Sequence, residues 1–229
     1  MSGATRLRVV SWNIRKAVGL DWRRDPRRVL AVLRRMSPDV VLLQEADRRL
    51  PPRPPALPVA LVAEAGWTSI DADPATPSIG HHGNAVLLRP ELEALRVEGI
   101  DLPGLEPRGG LLARLRGRGG GEVTVAGLHL GLRRADRQRQ ILLAARAATA
   151  FGDPVVMGGD LNEWRGALPS PEGWSWIVPG PTFHADMPRL TLDRFLCSPG
   201  VRVERHGVLP RATADRASDH LPIWIDVAV

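Results

Sequence analysis

The sequence predicts a layered α/β domain. Apolar runs of strand length recur along the chain, and two stretches with helical periodicity lie between them. The runs also end in Asn, Glu, His and Asp, residue types that carry chemistry. With 229 residues, 44% hydrophobic and 24% charged, one domain of this length buries a sizeable core. The composition excludes a mainly disordered, collagenous or coiled-coil chain.

The strand-length runs are Leu7–Trp12, Val40–Leu43, Ala85–Leu88, Val123–Leu128, Val155–Met157, Leu192–Leu196 and Leu221–Val227. A helix is predicted from Asp25-Pro26, where Asp25 is a good N-cap and Pro26 suits the first turn. Val29, Leu30, Leu33 and Met36 share its face, and it stops before Ser37-Pro38 because a proline disfavours helix at the residue before it. Pro51–Pro58, with five prolines, reads as an extended, exposed polyproline-like loop. Gly117–Gly121 reads as a hairpin turn joining Leu111–Arg116 to Val123–Leu128. A second helix is expected from about Arg134 to Ala150, with Ile141, Leu142, Ala145 and Ala148 inward and arginines outward. No repeat and no composition shift marks a boundary, so a single domain over 1–229 is expected.

The formal charge is +6, and Lys16 is the only lysine. Net charge bears on solubility and association and defines no site. Cys197 is the only cysteine, which excludes an internal disulfide framework and fits a reducing compartment. No apolar run approaches the length of a transmembrane helix, and the first residues lack a signal-peptide pattern. A cytoplasmic monomer is the resulting expectation.

The polar run ends carry the functional argument. Asn13 follows the first run, Gln44-Glu45 the second and His129 the fourth. The fifth leads into Gly158-Gly159-Asp160-Leu161-Asn162, Asp193 interrupts the sixth, and Asp219-His220 precedes the last. Strands that end this way gather their polar ends on one rim of a sheet, where substrate sites of open α/β folds form. Oxygen ligands such as Glu45, Asp219 and Asn13 suit a hard cation, Mg²⁺ or Mn²⁺, and the chemistry suggested is metal-assisted attack on a phosphoester. Neither a Cys cluster nor an H-E-x-x-H helix is present for zinc. The G-x-x-x-x-G-K-[ST] loop and the G-x-S-x-G elbow are also missing, which disfavours a P-loop NTPase and an α/β-hydrolase.

The pieces S-W-N (Ser11–Asn13), L-L-Q-E (Leu42–Glu45), G-N-A (Gly83–Ala85), L-H-L (Leu128–Leu130), G-D-L-N (Gly159–Asn162), L-D-R (Leu192–Arg194) and S-D-H-L-P (Ser218–Pro222) occur in order. Together they resemble the endonuclease/exonuclease/phosphatase superfamily of DNase-I-like metal-dependent hydrolases. The resemblance implies a four-layer α/β sandwich, two packed mixed β-sheets flanked by helices. It implies Glu45 as the principal metal-binding carboxylate, with Asn13 beside it and Asp219 as a further ligand. It makes His220 the histidine facing the scissile phosphate and Asp193 the carboxylate that orients it. Asp160 and Asn162 resemble the pair near the attacking water and the phosphoryl oxygens, and His129 matches a position that other members fill with histidine or tyrosine. The implied activity is Mg²⁺-dependent phosphodiester hydrolysis of nucleic acid, a phospholipid head group or a small phosphodiester. A sphingomyelinase-like lipid phosphodiesterase and a catalytically silent interaction module are the rivals.

Other residues have a plain reading beside the functional one. Arg108 before a strand is a candidate phosphate grip or a surface salt bridge, and Asn84 a substrate contact or a turn residue. His81-His82 is a candidate ligand pair or a solvated loop pair, and Arg133, Arg134, Arg137 and Arg139 a track for a nucleic-acid backbone or a solvated helix face; in both cases the solvated reading is preferred. Trp164, Trp174 and Trp176 fit core packing, base stacking or a lipid interface, while Trp12 and Trp224 fall in strands and read as core.

Overall fold

The computed structural model describes residues 5–48, 52–72 and 78–229. The chain runs β1 (Arg6–Asn13), α1 (Pro26–Met36), β2 (Val40–Gln44), α2 (Val59–Glu64), β3 (Thr68–Ile70), β4 (Ala85–Leu88), β5 (Glu93–Leu102) and β6 (Arg108–Arg116). It continues with β7 (Glu122–His129), α3 (Arg134–Phe151), β8 (Val155–Asp160), β9 (Ser175–Ile177), β10 (Asp193–Cys197), β11 (Arg202–Val208) and β12 (Ile223–Ala228).

The first helix forms as its sequence dictates. The Asp25 carboxylate accepts the Arg28 N–H at 3.0 Å, Pro26 opens the first turn, and Ser37 closes the helix in the left-handed region at φ 49°. Val29, Leu30, Val32, Leu33 and Met36 are buried, each side chain contributing roughly 1.5–3 kcal/mol. α1 is the crossover between the parallel strands β1 and β2, and α3 plays the same part between the parallel strands β7 and β8. The remaining pairings are antiparallel.

The strands make two mixed six-stranded sheets, ordered β11-β12-β1-β2-β4-β3 and β5-β6-β7-β8-β10-β9. Their facing surfaces share one apolar core, with Val9, Leu42, Val86 and Ile225 from the first sheet against Leu111, Val125, Val156 and Phe195 from the second. A second core lies under α1 and α2, a third under α3, which makes helix, sheet, sheet, helix: the four-layer sandwich. Within the second sheet, β7 and β8 approach closely at Gly159, where a Cβ would stand 1.9 Å from the Leu128 carbonyl oxygen. No helix among the described residues is long and apolar enough to cross a membrane.

Several expectations are corrected here. Leu142 is exposed and Ala144 is buried in its place, because the inward row of α3 runs Arg137, Gln140, Ile141, Ala144, Ala145, Ala148 and Leu142 sits about 100° off it. Arg137 is therefore not on a solvated face but is 1% exposed. Trp12 is fully buried, whereas Trp224 is half-buried under the Arg8 guanidinium, 5.0 Å from its ring. The described part of the proline-rich segment, 52–58, is not wholly exposed. Ala56 and Leu57 are buried, and the Arg48 and Ala56 N–H groups donate to the Pro54 and Ala46 carbonyls, since residues flanking proline still need partners. Pro51 itself lies outside the described residues. The Gly117–Gly121 turn forms as expected, closed by Gly117 N–H to Gly121 O at 2.9 Å.

Candidate active site

The register brings the polar strand ends together. Asn13 pairs with Gln44 across β1 and β2, His129 with Asp160 across β7 and β8, and Asp193 with Asp160 across β10 and β8. Both parallel pairs thus deliver their C-terminal ends to one rim. Asn13, Glu45, His129, Asp160, Asn162, Asp219, His220 and Arg108 all line a cavity of about 690 Å³ there.

His220 and Asp193 form the buried pair at its base. His220 Nδ1 lies 2.9 Å from Asp193 Oδ2, and the Thr182 hydroxyl donates to the same oxygen at 2.5 Å. The histidine is fixed from behind: the Trp12 indole N–H donates to the His220 carbonyl at 2.8 Å, and the Ser218 hydroxyl donates to the Asn13 carbonyl at 2.7 Å. Asp160 Oδ2 lies 3.7 Å from His220 Nε2 and 3.4 Å from His129 Nε2, and accepts the Asn13 amide N–H at 3.0 Å. Its other oxygen accepts the Asn162 backbone N–H at 3.0 Å. Burial alone would strip the proton from His220, but the surrounding carboxylates of Asp193 and Asp160 outweigh it and raise its pKa to about 10.

Donor atoms of Asp160, Asp193 and His220 lie within 4.8 Å of one another. Within this cluster His220 Nδ1 and Asp193 Oδ2 already engage each other at 2.9 Å, and Asp193 is fully buried. Glu45 and Asp219 are the better oxygen donors. Each faces a cation from one unusual turn, where Arg15, Lys16 and Ala17 all adopt positive φ (46°, 57° and 58°). Left-handed backbone costs a non-glycine residue roughly 1–2 kcal/mol, so this turn is strained. It is held by Ile14 N–H to Gln44 O and Lys16 N–H to Glu45 O, both 3.0 Å. As a result the Lys16 ammonium contacts the Glu45 carboxylate and Arg15 Nε lies 3.5 Å from Asp219 Oδ2. Burial opposes the Glu45 charge, but Lys16 and the Asn13 amide prevail and hold its carboxyl below the usual range.

The remaining predicted residues divide. Arg108, half-buried at the start of β6, has its Nε 3.8 Å from Glu106 Oε2 and also lines the cavity. Asn84 is fully buried and lines no part of it; its amide donates to the carbonyls of His81 at 3.2 Å and Gly109 at 2.9 Å, the turn role. The Asn162 amide donates to the Leu130 carbonyl at 3.0 Å. Trp174 and Trp176 pack against the α3 core, while Trp164 is 46% exposed on the cavity wall.

Sequence reasoning missed Arg15, Lys16, Thr182 and Glu163. The isolated lysine was a usable signal for Lys16; Thr182 lies in a segment without periodicity. Glu163, fully buried directly after G-D-L-N, takes Arg137 at 3.2 Å and Arg134 at 2.8 Å.

Two mixed six-stranded sheets with this rim define the DNase-I-like sandwich class. The model of the endonuclease/exonuclease/phosphatase family matches residues 10–220, and the chain belongs to that family. It is 34% identical over 161 residues to the uncharacterized protein YbhP of Escherichia coli (strain K12), a match covering 65% of this chain and 63% of that protein. Its fold is similar to that of D. rerio TDP2 complexed with single-strand DNA product, with a TM-score of 0.75 at 19% identity, covering 98% of this chain and 100% of that one. It is also similar to the mannosyl-6-phosphatase Bt3783 of Bacteroides thetaiotaomicron VPI-5482, with a TM-score of 0.76 at 18% identity, covering 97% and 100%.

Proposed function

We propose that this protein is a Mg²⁺- or Mn²⁺-dependent phosphoester hydrolase acting on a phosphodiester. The observation that carries the reading is the His220–Asp193 pair facing Asp160 across one cavity with Glu45 and Asp219 on its wall. Family membership supports phosphoester chemistry.

The donor chemistry fits a hard divalent cation. Glu45 and Asp219 offer carboxylate oxygens that already attract Lys16 and Arg15, and Asn13 adds an amide oxygen, although that oxygen also accepts the Arg15 N–H at 3.0 Å. When bound there, such an ion supplies Lewis-acid neutralisation of charge on the phosphoryl group. The chain's own groups do the rest. His220, held protonated, donates a hydrogen bond to a phosphoryl oxygen. Asp193 and Thr182 fix its ring. Asp160, oriented by Asn13 and the Asn162 N–H, accepts the proton of the attacking water. His129 and Arg108 contact the phosphate from the β7 and β6 side, and Asn162 borders the water. Asn84 supports the neighbouring turn. The single-domain, monomeric and cytoplasmic expectations belong to the same proposal, the last resting on the single free cysteine.

A second reading is favoured by one feature of the wall. Leu132, Trp164 and Leu190 line the cavity while 55%, 46% and 39% exposed, an apolar rim suited to a lipid-like ester. A long cationic track for duplex DNA has less support, because Arg137 is buried and pairs with Glu163. The test is a panel: protein with Mg²⁺, Mn²⁺ or EDTA against plasmid DNA, oligonucleotides, sphingomyelin, bis-p-nitrophenyl phosphate and p-nitrophenyl phosphate. We expect cation-dependent diester cleavage, abolished by EDTA and impaired in Glu45→Ala, with weak nicking of duplex DNA. Full activity in EDTA refutes the metal reading, and selective monoester turnover refutes the diester reading.

A further inference from the structure

Of the two readings the sequence offers for His81-His82, a solvated loop pair and a pair of ligands, the three-quarters-covered rings favour the second. The two residues open a tight turn closed by reciprocal backbone bonds, His81 N–H to Asn84 O and Asn84 N–H to His81 O, both 2.8 Å. His82 adopts φ 46°, strained for a residue with a side chain. Neighbouring side chains in extended backbone diverge, yet here both imidazoles reach one atom: His81 Nε2 lies 2.9 Å and His82 Nε2 3.1 Å from Asp101 Oδ1 on β5. The rings meet edge to face, 4.5 Å between centroids.

The strands leave room for these rings. A Cβ at Gly99 of β5 would come within 2.6 Å of the His81 ring, and one at Gly109 of β6 within 3.0 Å of both rings. The imidazoles are thus three-quarters covered, at 22% and 25% exposure, while the Asp101 side chain is 82% exposed. The result is two nitrogen donors on a built floor and one carboxylate oxygen open to solvent. Ligands bound about 2.0 Å from a tetrahedral ion stand about 3.3 Å apart, close to the separations seen here.

We propose that His81, His82 and Asp101 bind a borderline divalent cation of the Zn²⁺ class, with water completing the coordination. Two imidazoles and one carboxylate favour such an ion over Mg²⁺, which prefers oxygen and keeps its water. This site shares no residue with the oxygen donors Glu45 and Asp219, although His82 and Glu45 line one cavity, and its existence does not depend on the hydrolase reading. Arg53 approaches His82 Nδ1 at 3.5 Å, but Asp47 matches its charge at 2.7 Å. The bound ion clamps the turn to β5. Gly83 of that turn accepts the Ala46 N–H at 2.9 Å, so the clamp steadies the backbone directly after Glu45.

The experiment is calorimetric titration of the metal-stripped full chain with Zn²⁺ in millimolar Mg²⁺, with Co²⁺ absorption as a second readout. One Zn²⁺ per chain with micromolar affinity is expected, together with a rise in Tm. Asp101→Ala and His82→Ala should each weaken binding at least about tenfold and change the Co²⁺ spectrum. His220→Ala should leave both unchanged. Asp101 is exposed, so its variant keeps the fold even where a histidine variant does not. Displacement of Zn²⁺ by Mg²⁺, undiminished affinity in Asp101→Ala, loss of binding in His220→Ala, or no binding at all would each overturn the proposal.

Discussion

Glu163→Ala tests how the wall carrying Trp164 is held. Glu163 is fully buried, and its carboxylate meets Arg137, itself 1% exposed, at 3.2 Å and Arg134 at 2.8 Å. It also accepts the Arg165 N–H at 2.6 Å, which fixes the backbone around Trp164. Arg134 is 36% exposed and can turn to water, so losing that pair costs little. Arg137 cannot. It also meets the carbonyls of Gly131 and Leu132 and lies over the Trp164 ring at 5.0 Å, but it would be left as a buried charge without a carboxylate counter-ion. Removing one partner of a buried pair costs about 3–5 kcal/mol, a large part of the total stability of a domain. At roughly 2–4 °C per kcal/mol for a chain of this size, Tm should fall by about 6–20 °C. Urea and thermal unfolding of Glu163→Ala, Arg137→Met and the double variant form the assay. The double variant should lose less than the sum of the singles by more than about 1 kcal/mol, because it removes the orphaned charge. A loss below about 1 kcal/mol in Glu163→Ala would show that water reaches Arg137 and would refute the reasoning.

The other expectations concern catalysis and the thiol. His220→Ala should lower kcat on the order of 10²-fold or more with the fold intact, and Asp193→Asn should follow it, since a neutral amide no longer favours the imidazolium; near wild-type turnover in both removes these roles. Trp164→Ala should raise KM more than it lowers kcat, because an exposed wall residue makes contacts common to ground and transition states; an equal fall in kcat and kcat/KM would contradict this. Cys197, whose thiol burial pushes up to about 12, should resist Ellman's reagent at pH 8 in the native state and react on unfolding. A thiol raised on folding contributes stability that is complete below its unfolded pKa near 9.0 and is lost as pH rises towards 12. Rapid native-state labelling would oppose the burial argument.

Local pattern determined much of the fold. β1, β2, β4, β7, β8, α1 and the rim residues could be read because a central strand covered on both faces is continuously apolar and stops where polar chemistry begins. The cap at Asp25 and the turn at 117–121 were legible for the same reason, since each rests on residues a few positions apart. The edge strands β3, β5, β9 and β11 were not. β5 reads Glu-Ala-Leu-Arg-Val-Glu-Gly-Ile-Asp-Leu and is mostly exposed, and its place is set by pairing with β6 rather than by its own apolar content.

At the rim, residue types alone identified His220, Asp193, Asp160 and Glu45 as a group, because the strand ends that carry them must converge. Their partners depend on contacts across long stretches of chain. Thr182 reaches Asp193, Lys16 meets Glu45 through a left-handed turn, Arg137 is drawn inward by Glu163, and Asp101 gathers two histidines from twenty residues away. A charge or an imidazole carries no local sign of whether it will face water or a buried counter-charge. That choice is made by desolvation and Coulomb attraction once the sheets have packed, and only the tertiary structure contains it.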